Sequence, residues 1–157
     1  RVGGGGWKGC DQSQGEGGLD LRAEVAGTPP KTGRYVVRWD SRVQSTVFFA
    51  TLVIRDSSGN ILMNISYRNG GVLDLNDENP RGIGILWSDV FQSFEVTVDM
   101  GSKRIERILI DEKLISVSFP IAFRQPAASD LARFSFELGG TTGQGYAIDN
   151  IEIREAP

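Results

Sequence analysis

"FEVTVDM", residues 94–100, alternates apolar and polar side chains without a break. Phe94, Val96, Val98 and Met100 fall on one parity, Glu95, Thr97 and Asp99 on the other. Successive side chains of a strand point to opposite faces, so the run predicts a β-strand with one face in a core. The same period of two extends in both directions from it. Upstream, Leu19, Leu21, Ala23 and Val25 alternate with Asp20, Arg22 and Glu24. Tyr35, Val37 and Trp39 alternate with Val36, Arg38 and Asp40, and Ile61, Met63, Ile65 and Tyr67 with Leu62, Asn64, Ser66 and Arg68. Downstream, "RFSFEL" at 133–138 directs Phe134, Phe136 and Leu138 inward. Turn-forming clusters separate these runs: "DSSGN" at 56–60, "MGSK" at 100–103 and "DEK" at 111–113. No long helix is predicted, and "ASDLAR" at 128–133 has room for one helical turn at most. About ten short strands with regular turns predict an all-β, antiparallel sandwich or barrel.

One segment breaks the alternation. "TVFFATLVI", residues 46–54, is apolar at both parities, which predicts a central strand covered on both sides. One of its faces would lie in the core and the other on a concave surface. "GIGILW" at 82–87 supports such a surface, because Gly82 and Gly84 share a parity and would leave the second face open and flat.

The composition narrows the function. The chain has 157 residues and a net charge of −3, from 17 Lys and Arg against 20 Asp and Glu. That balance argues against nucleic acid or an anionic membrane as partner. No apolar run approaches the ~18 residues of a membrane-spanning helix. Histidine is absent, which removes Ser-His and Cys-His catalysis, histidine acid–base chemistry and histidine metal sites together. The organisation expected is a flexible glycine-rich leader over residues 1–18, holding Trp7 and the single Cys10, followed by one domain over 19–157.

"FQSFEVTVDMGSKRIERILIDEKLISV", residues 91–117, resembles the hairpin of concanavalin A-like and laminin-G-like jelly rolls. There a strand ending in V-x-V-D, a short turn, a strand ending in I-D-x-x and a further apolar strand follow one another. "YAIDNIEI" at 146–153 also resembles the closing strand of jelly-roll carbohydrate-binding modules. The resemblance implies a two-sheet antiparallel β-sandwich of jelly-roll type. It also implies a secreted, extracellular or cell-surface, non-catalytic module, part of a larger protein, that binds glycans through a concave sheet face. The alternative is a structural or adhesion domain that binds protein, with a dry face lined by Val47, Phe48 and Phe49. Catalysis is not expected: glycosidases of this fold carry an E-x-D-x-E strand, and no such triplet is present.

Candidate sites follow from the same residues. A glycan needs an aromatic face and polar groups for its hydroxyls, so Trp87 and Tyr67, with Arg68, Asn69, Asp74 and Gln92, form the candidate ligand set, although Tyr67 and Trp39 sit at the inward parity. Asp149 shares the parity of Ile151 and Ile153, so uniform alternation aims its carboxylate inward. Two explanations stay open. It accepts backbone N–H groups near a β-bulge, or, as the resemblance implies, it helps bind a structural calcium with Asp20, Glu24 or Glu16. A second oxygen-rich stretch, "LNDENPRG" at 75–82, reads as a polar turn before Pro80.

Overall fold

The computed structural model describes residues 11–15, 18–43, 49–68, 72–77, 82–85, 90–115, 117–139 and 146–157. Its strands are β1 Asp11–Gly15, β2 Gly18–Glu24, β3 Arg34–Val43, β4 Phe49–Arg55, β5 Ile61–Arg68, β6 Val72–Leu75 and β7 Gly82–Ile85. They continue as β8 Gln92–Asp99, β9 Arg104–Ile110, β10 Lys113–Leu114, β11 Ile121–Ala122, β12 Arg133–Gly139 and β13 Tyr146–Glu155. A seven-stranded sheet has the order β1-β2-β12-β4-β5-β6-β7, and a second sheet has the order β10-β9-β8-β3-β13, with β11 also on β9. All pairs are antiparallel. The chain is therefore the all-β sandwich that the alternation predicts, and β4 is the middle strand of the larger sheet. Among the described residues, "ASDLAR" forms no helix and runs irregularly into β12.

The two inner faces meet in one core. Val37, Trp39, Phe94, Val96 and Val98 come from the smaller sheet, and Leu52, Ile54, Met63, Ile65, Tyr67, Leu73, Phe134 and Phe136 from the larger. The aromatic rings join the layers. Trp39 stacks on Phe94 at 5.1 Å and meets Phe134 at 5.4 Å, while Tyr67 touches Phe94 and Phe136 edge-on at 6.3 and 5.8 Å. Such pairs add about 0.5–1.5 kcal/mol each beyond the area they bury.

The turns form where Asp, Gly and Ser cluster. Asp56 is buried, and its carboxylate accepts from the N–H groups of Ser58 (3.0 Å), Asn60 (2.7 Å) and Ser129 (3.1 Å). It also accepts from Asn60 Nδ2 at 2.9 Å. Asp130 accepts from Ser57 N–H at 2.8 Å, which fastens the β4–β5 turn to the segment before β12.

Three expectations need correction. The leader does not extend to residue 18, because Asp11–Gly15 is a strand paired with β2. Strand pairing is made by backbone groups, so an edge strand forms without apolar periodicity. Residues 1–10, with Trp7 and Cys10, lie outside the described residues. Gly82 and Gly84 do not share a face in the register either. An irregularity sets Gly82 opposite Asp74 and Gly84 opposite Leu73, residues of opposite parity. The third correction concerns Asp149. It pairs with Asp40 and Glu152 with Arg38, so Asn150 and Ile151 together stand opposite Trp39. The extra residue is a β-bulge that reverses the parity. Ile148, Ile151 and Ile153 all pack on the core, and Asp149 is exposed.

Candidate functional site

The face of the seven-stranded sheet turned away from the core carries a polar set that is withdrawn from solvent. On β4, Thr51 and Val53 alternate with the core residues Leu52 and Ile54. On β5, Asn64 and Ser66 alternate with Met63, Ile65 and Tyr67; on β6, Asp74 lies between Leu73 and Leu75; on β12, Ser135 lies between Phe134 and Phe136. The register aligns them into rows. Glu137, Thr51, Ser66 and Asp74 follow one another across four adjacent strands, and Ser135, Val53 and Asn64 form the next row. Asn64 and Ser66 have no exposure, Ser135 has 2% and Asp74 has 5%. Buried polar groups need partners, and most of these find them in one network.

Three residues from outside the strands complete it. Asn76 and Asp77 adopt left-handed backbone conformations, with φ of 56° and 54°, after β6. This turn is anchored by Asn76 N–H donating to Asn64 C=O (2.9 Å) and Asn64 N–H donating to Asn76 Oδ1 (3.1 Å). Asp77 Oδ1 then accepts from Asn64 Nδ2 and from Ser66 Oγ, each at 2.9 Å. Arg124 donates from Nη1 to Asn64 Oδ1 (2.8 Å) and pairs through Nη2 with Asp77 Oδ2 (2.8 Å). Ser66 Oγ and Thr51 Oγ1 lie 3.4 Å apart. Along the same face Arg55 pairs with Glu137 (3.1 Å) and Arg133 with Glu24 (3.0 Å). The Ser135 hydroxyl is buried and has no hydrogen-bond partner among the described residues.

The arrangement is two-layered. Asn64, Ser66 and Thr51 are buried; Asn64 and Ser66 hold Asp77, and Asn64 also holds Arg124, side chains that keep 39% and 35% of their exposure. An ion pair this exposed contributes at most about 1 kcal/mol to stability. Its value is positional, because hydrogen bonds from below fix a carboxylate and a guanidinium at the surface. They present a carboxylate acceptor and a fork-shaped donor, groups of the kind that hydrogen-bond to hydroxyls.

The residues singled out from sequence divide sharply. Asp74 stands in the polar row. Tyr67 is in the core, 3% exposed, with Oη 3.4 Å from Ser41 Oγ, so it offers no face to a ligand. Arg68 pairs in register with Phe49 and Val72. Gln92 belongs to the other sheet, where Nε2 donates to Asp111 at 3.2 Å. Trp87, Asn69, Val47, Phe48, Glu16, Glu78 and Asn79 lie outside the described residues. The calcium set is not brought together. Asp20 and Glu24 are four residues apart on β2, roughly 13 Å along a strand, whereas one calcium binds oxygens at about 2.3–2.6 Å. Glu24 is paired with Arg133, and exposed Asp149, on the other sheet, accepts from Asn150 N–H at 2.8 Å. Among the described residues no three His, Cys, Asp or Glu form a group that could hold a metal ion. No described helix is long and apolar enough to cross a membrane.

Thr51, Asn64, Ser66, Arg124 and Glu137 were not singled out by sequence. The alternation does assign Asn64 and Ser66 to the polar parity of β5, which is the one signal that could have found them.

No family model matches the chain, and no curated protein matches it. Solved structures do. A sialidase superposes with a TM-score of 0.70 at 14% identity over 88% of this chain, which spans only 14% of the sialidase. The catalytic domain of a glycoside hydrolase family 131 protein from Coprinopsis cinerea gives 0.59 at 12% identity, covering 89% of this chain and 70% of that one. The carbohydrate recognition domain of Emp46p gives 0.57 at 9% identity, covering 87% and 78%. The likeness establishes a concanavalin-like jelly-roll sandwich. It also overturns the expectation that the chain is no enzyme. That exclusion required an E-x-D-x-E strand or histidine, yet a glycoside hydrolase catalytic domain shares the fold over nearly the whole chain.

Proposed function

We propose that the chain binds carbohydrate on the outer face of its seven-stranded sheet. The observation that carries this is the polar face across β12, β4, β5 and β6, where the Ser66 hydroxyl and the Asn64 amide hold Asp77 and Arg124 at the surface and Glu137 lies in the same row as Ser66. Such a layer gives orientation-specific hydrogen bonds to sugar hydroxyls, because the ligating groups are fixed before the ligand arrives. The fold it shares with a carbohydrate recognition domain and a glycoside hydrolase domain supports the same ligand class. An extracellular setting, implied by the resemblance, belongs to the same proposal.

A glycan array followed by calorimetry on the best ligand tests it. Glu137→Ala and Arg124→Ala are expected to weaken binding by about tenfold or more each, since each removes charged hydrogen-bonding groups. Binding unchanged in both variants would place the ligand elsewhere.

A second reading, hydrolysis of a glycosidic bond, has one observation in its favour. The register sets Asp20 of β2 opposite Glu137 of β12, and glycosidases work with a pair of acidic residues. Release of reducing sugar by the wild type and its loss in Glu137→Gln would establish this reading. A bound glycan left intact on long incubation would remove it.

A further inference from the structure

The segment from Ile115 to Gln125 passes from one sheet to the other. Ile121 and Ala122 pair with Ile105 and Arg104 of β9, and then the N–H groups of Arg124 and Gln125 donate to the carbonyls of Leu62 and Ile61 (2.8 and 3.0 Å). Where this crossing meets the turn after β6 it leaves a cleft of about 510 Å³, lined by Asn76, Ser118, Pro120, Ile121, Ala122, Phe123 and Arg124. That volume lies in the range of small-molecule sites.

Two lining residues also belong to the polar network of the sheet face. Asn76 holds the backbone of Asn64, and the Arg124 guanidinium spans Asn64 and Asp77. The cleft and the sheet face are thus continuous through these side chains. Among the described residues its lining holds no acidic side chain, and the cation there, Arg124, is already paired with Asp77 at 2.8 Å. Ala122 and Ser118, both exposed, keep the wall open, and a side chain of any size at either position would narrow it.

We infer that this cleft is a second sugar subsite, and that the ligand is an uncharged oligosaccharide with one unit over Asp77 and Arg124 and the next in the cleft. An uncharged ring can hydrogen-bond to Asn76 and Ser118 without displacing the Arg124–Asp77 pair. A carboxylated or sulfated unit would have to compete with Asp77 for the guanidinium. The inference rests on the carbohydrate-binding reading and adds to it the length and charge of the ligand.

The test compares galactose, glucose and mannose with lactose, cellobiose, cellotetraose and mannotetraose, and with sialyllactose and a heparin tetrasaccharide, by calorimetry on the full chain. Among neutral sugars the best oligosaccharide is expected to bind about tenfold or more tighter than its monosaccharide, as an added subsite requires. Ala122→Trp, and independently Ser118→Trp, should bring that ratio close to one. Melting curves establish that each variant is folded, and two variants guard against loss of either. Equal affinity for monosaccharide and oligosaccharide, an unchanged ratio in both folded variants, or preference for the acidic sugars would overturn the inference while leaving carbohydrate binding standing. Failure of every sugar to bind would overturn both.

Discussion

Asp56 illustrates how a single carboxylate can hold a turn and make it sensitive to acid. Burial pushes its carboxyl upward, but the side chain of Asn60 and the N–H groups of Asn60, Ser129 and Ser58 all donate to the charged form and outweigh that effect. The net result is a value below the ordinary carboxylate range. A folded value lower than the unfolded one means stability that is complete above about pH 4 and is lost as pH falls through the folded value. Asp56→Asn should therefore cost about 1–3 kcal/mol at pH 7, where hydrogen bonds to the charged oxygens are lost. The gap between variant and wild type should narrow below about pH 4. Urea unfolding at pH 7 and pH 3 checks both, and a gap that stays constant with pH would mean the carboxylate is not charged in the fold. At this scale the sequence was informative. "DSSGN" announces a turn by its residue types, although nothing in it announces Ser129, which arrives from 73 residues away.

Among the elements, β13 shows where alternation stops being a guide. Parity counting assumes a constant period, and the bulge at Asn150–Ile151 adds one residue that no composition rule flags. Asn150 takes φ of 53° there, and its Nδ2 donates to Asp40 at 2.6 Å. Left-handed backbone costs a β-branched residue roughly 1–2 kcal/mol, so Asn150→Val should destabilise by at least that much. Asn150→Gly should lose no more than the side-chain hydrogen bond, about 0.5–1.5 kcal/mol. Equal losses would show that the backbone there is not left-handed. Asp149→Asn should change the melting temperature little, with calcium or with chelator, because the side chain is exposed and an amide oxygen can accept from the same N–H. A calcium-dependent loss would restore the metal explanation. The core strands were legible because both of their faces repeat without interruption, as in β8. The functional face was legible only in half. Asn64 and Ser66 announce themselves by parity, whereas Arg124 comes from an irregular segment and is placed by backbone bonds to Leu62 and Ile61 that no local pattern encodes.

For the whole molecule, the decisive feature is the strand order. β12 lies between β2 and β4, and β13 completes the other sheet against β3, so both layers join the two ends of the chain. The Arg133–Glu24 and Asn150–Asp40 contacts span 109 and 110 residues. A chain ending at residue 132 would leave β2 and β4 facing a gap, with their backbone donors and acceptors unpaired and Trp39 without Phe134 above it. It should show no cooperative unfolding transition, and a truncated protein that melts cooperatively would mean that β2 and β4 can pair directly. The consequence reaches back to synthesis. A ribosome delivers residues from the amino end at about 5–20 per second, and topologies dominated by distant pairings fold slowly. The nascent chain must carry β4 for several seconds before its neighbour β12 exists, with the apolar run around Leu52, Val53 and Ile54 open along one edge. During translation the middle of the larger sheet is therefore the segment that a chaperone has most reason to shield.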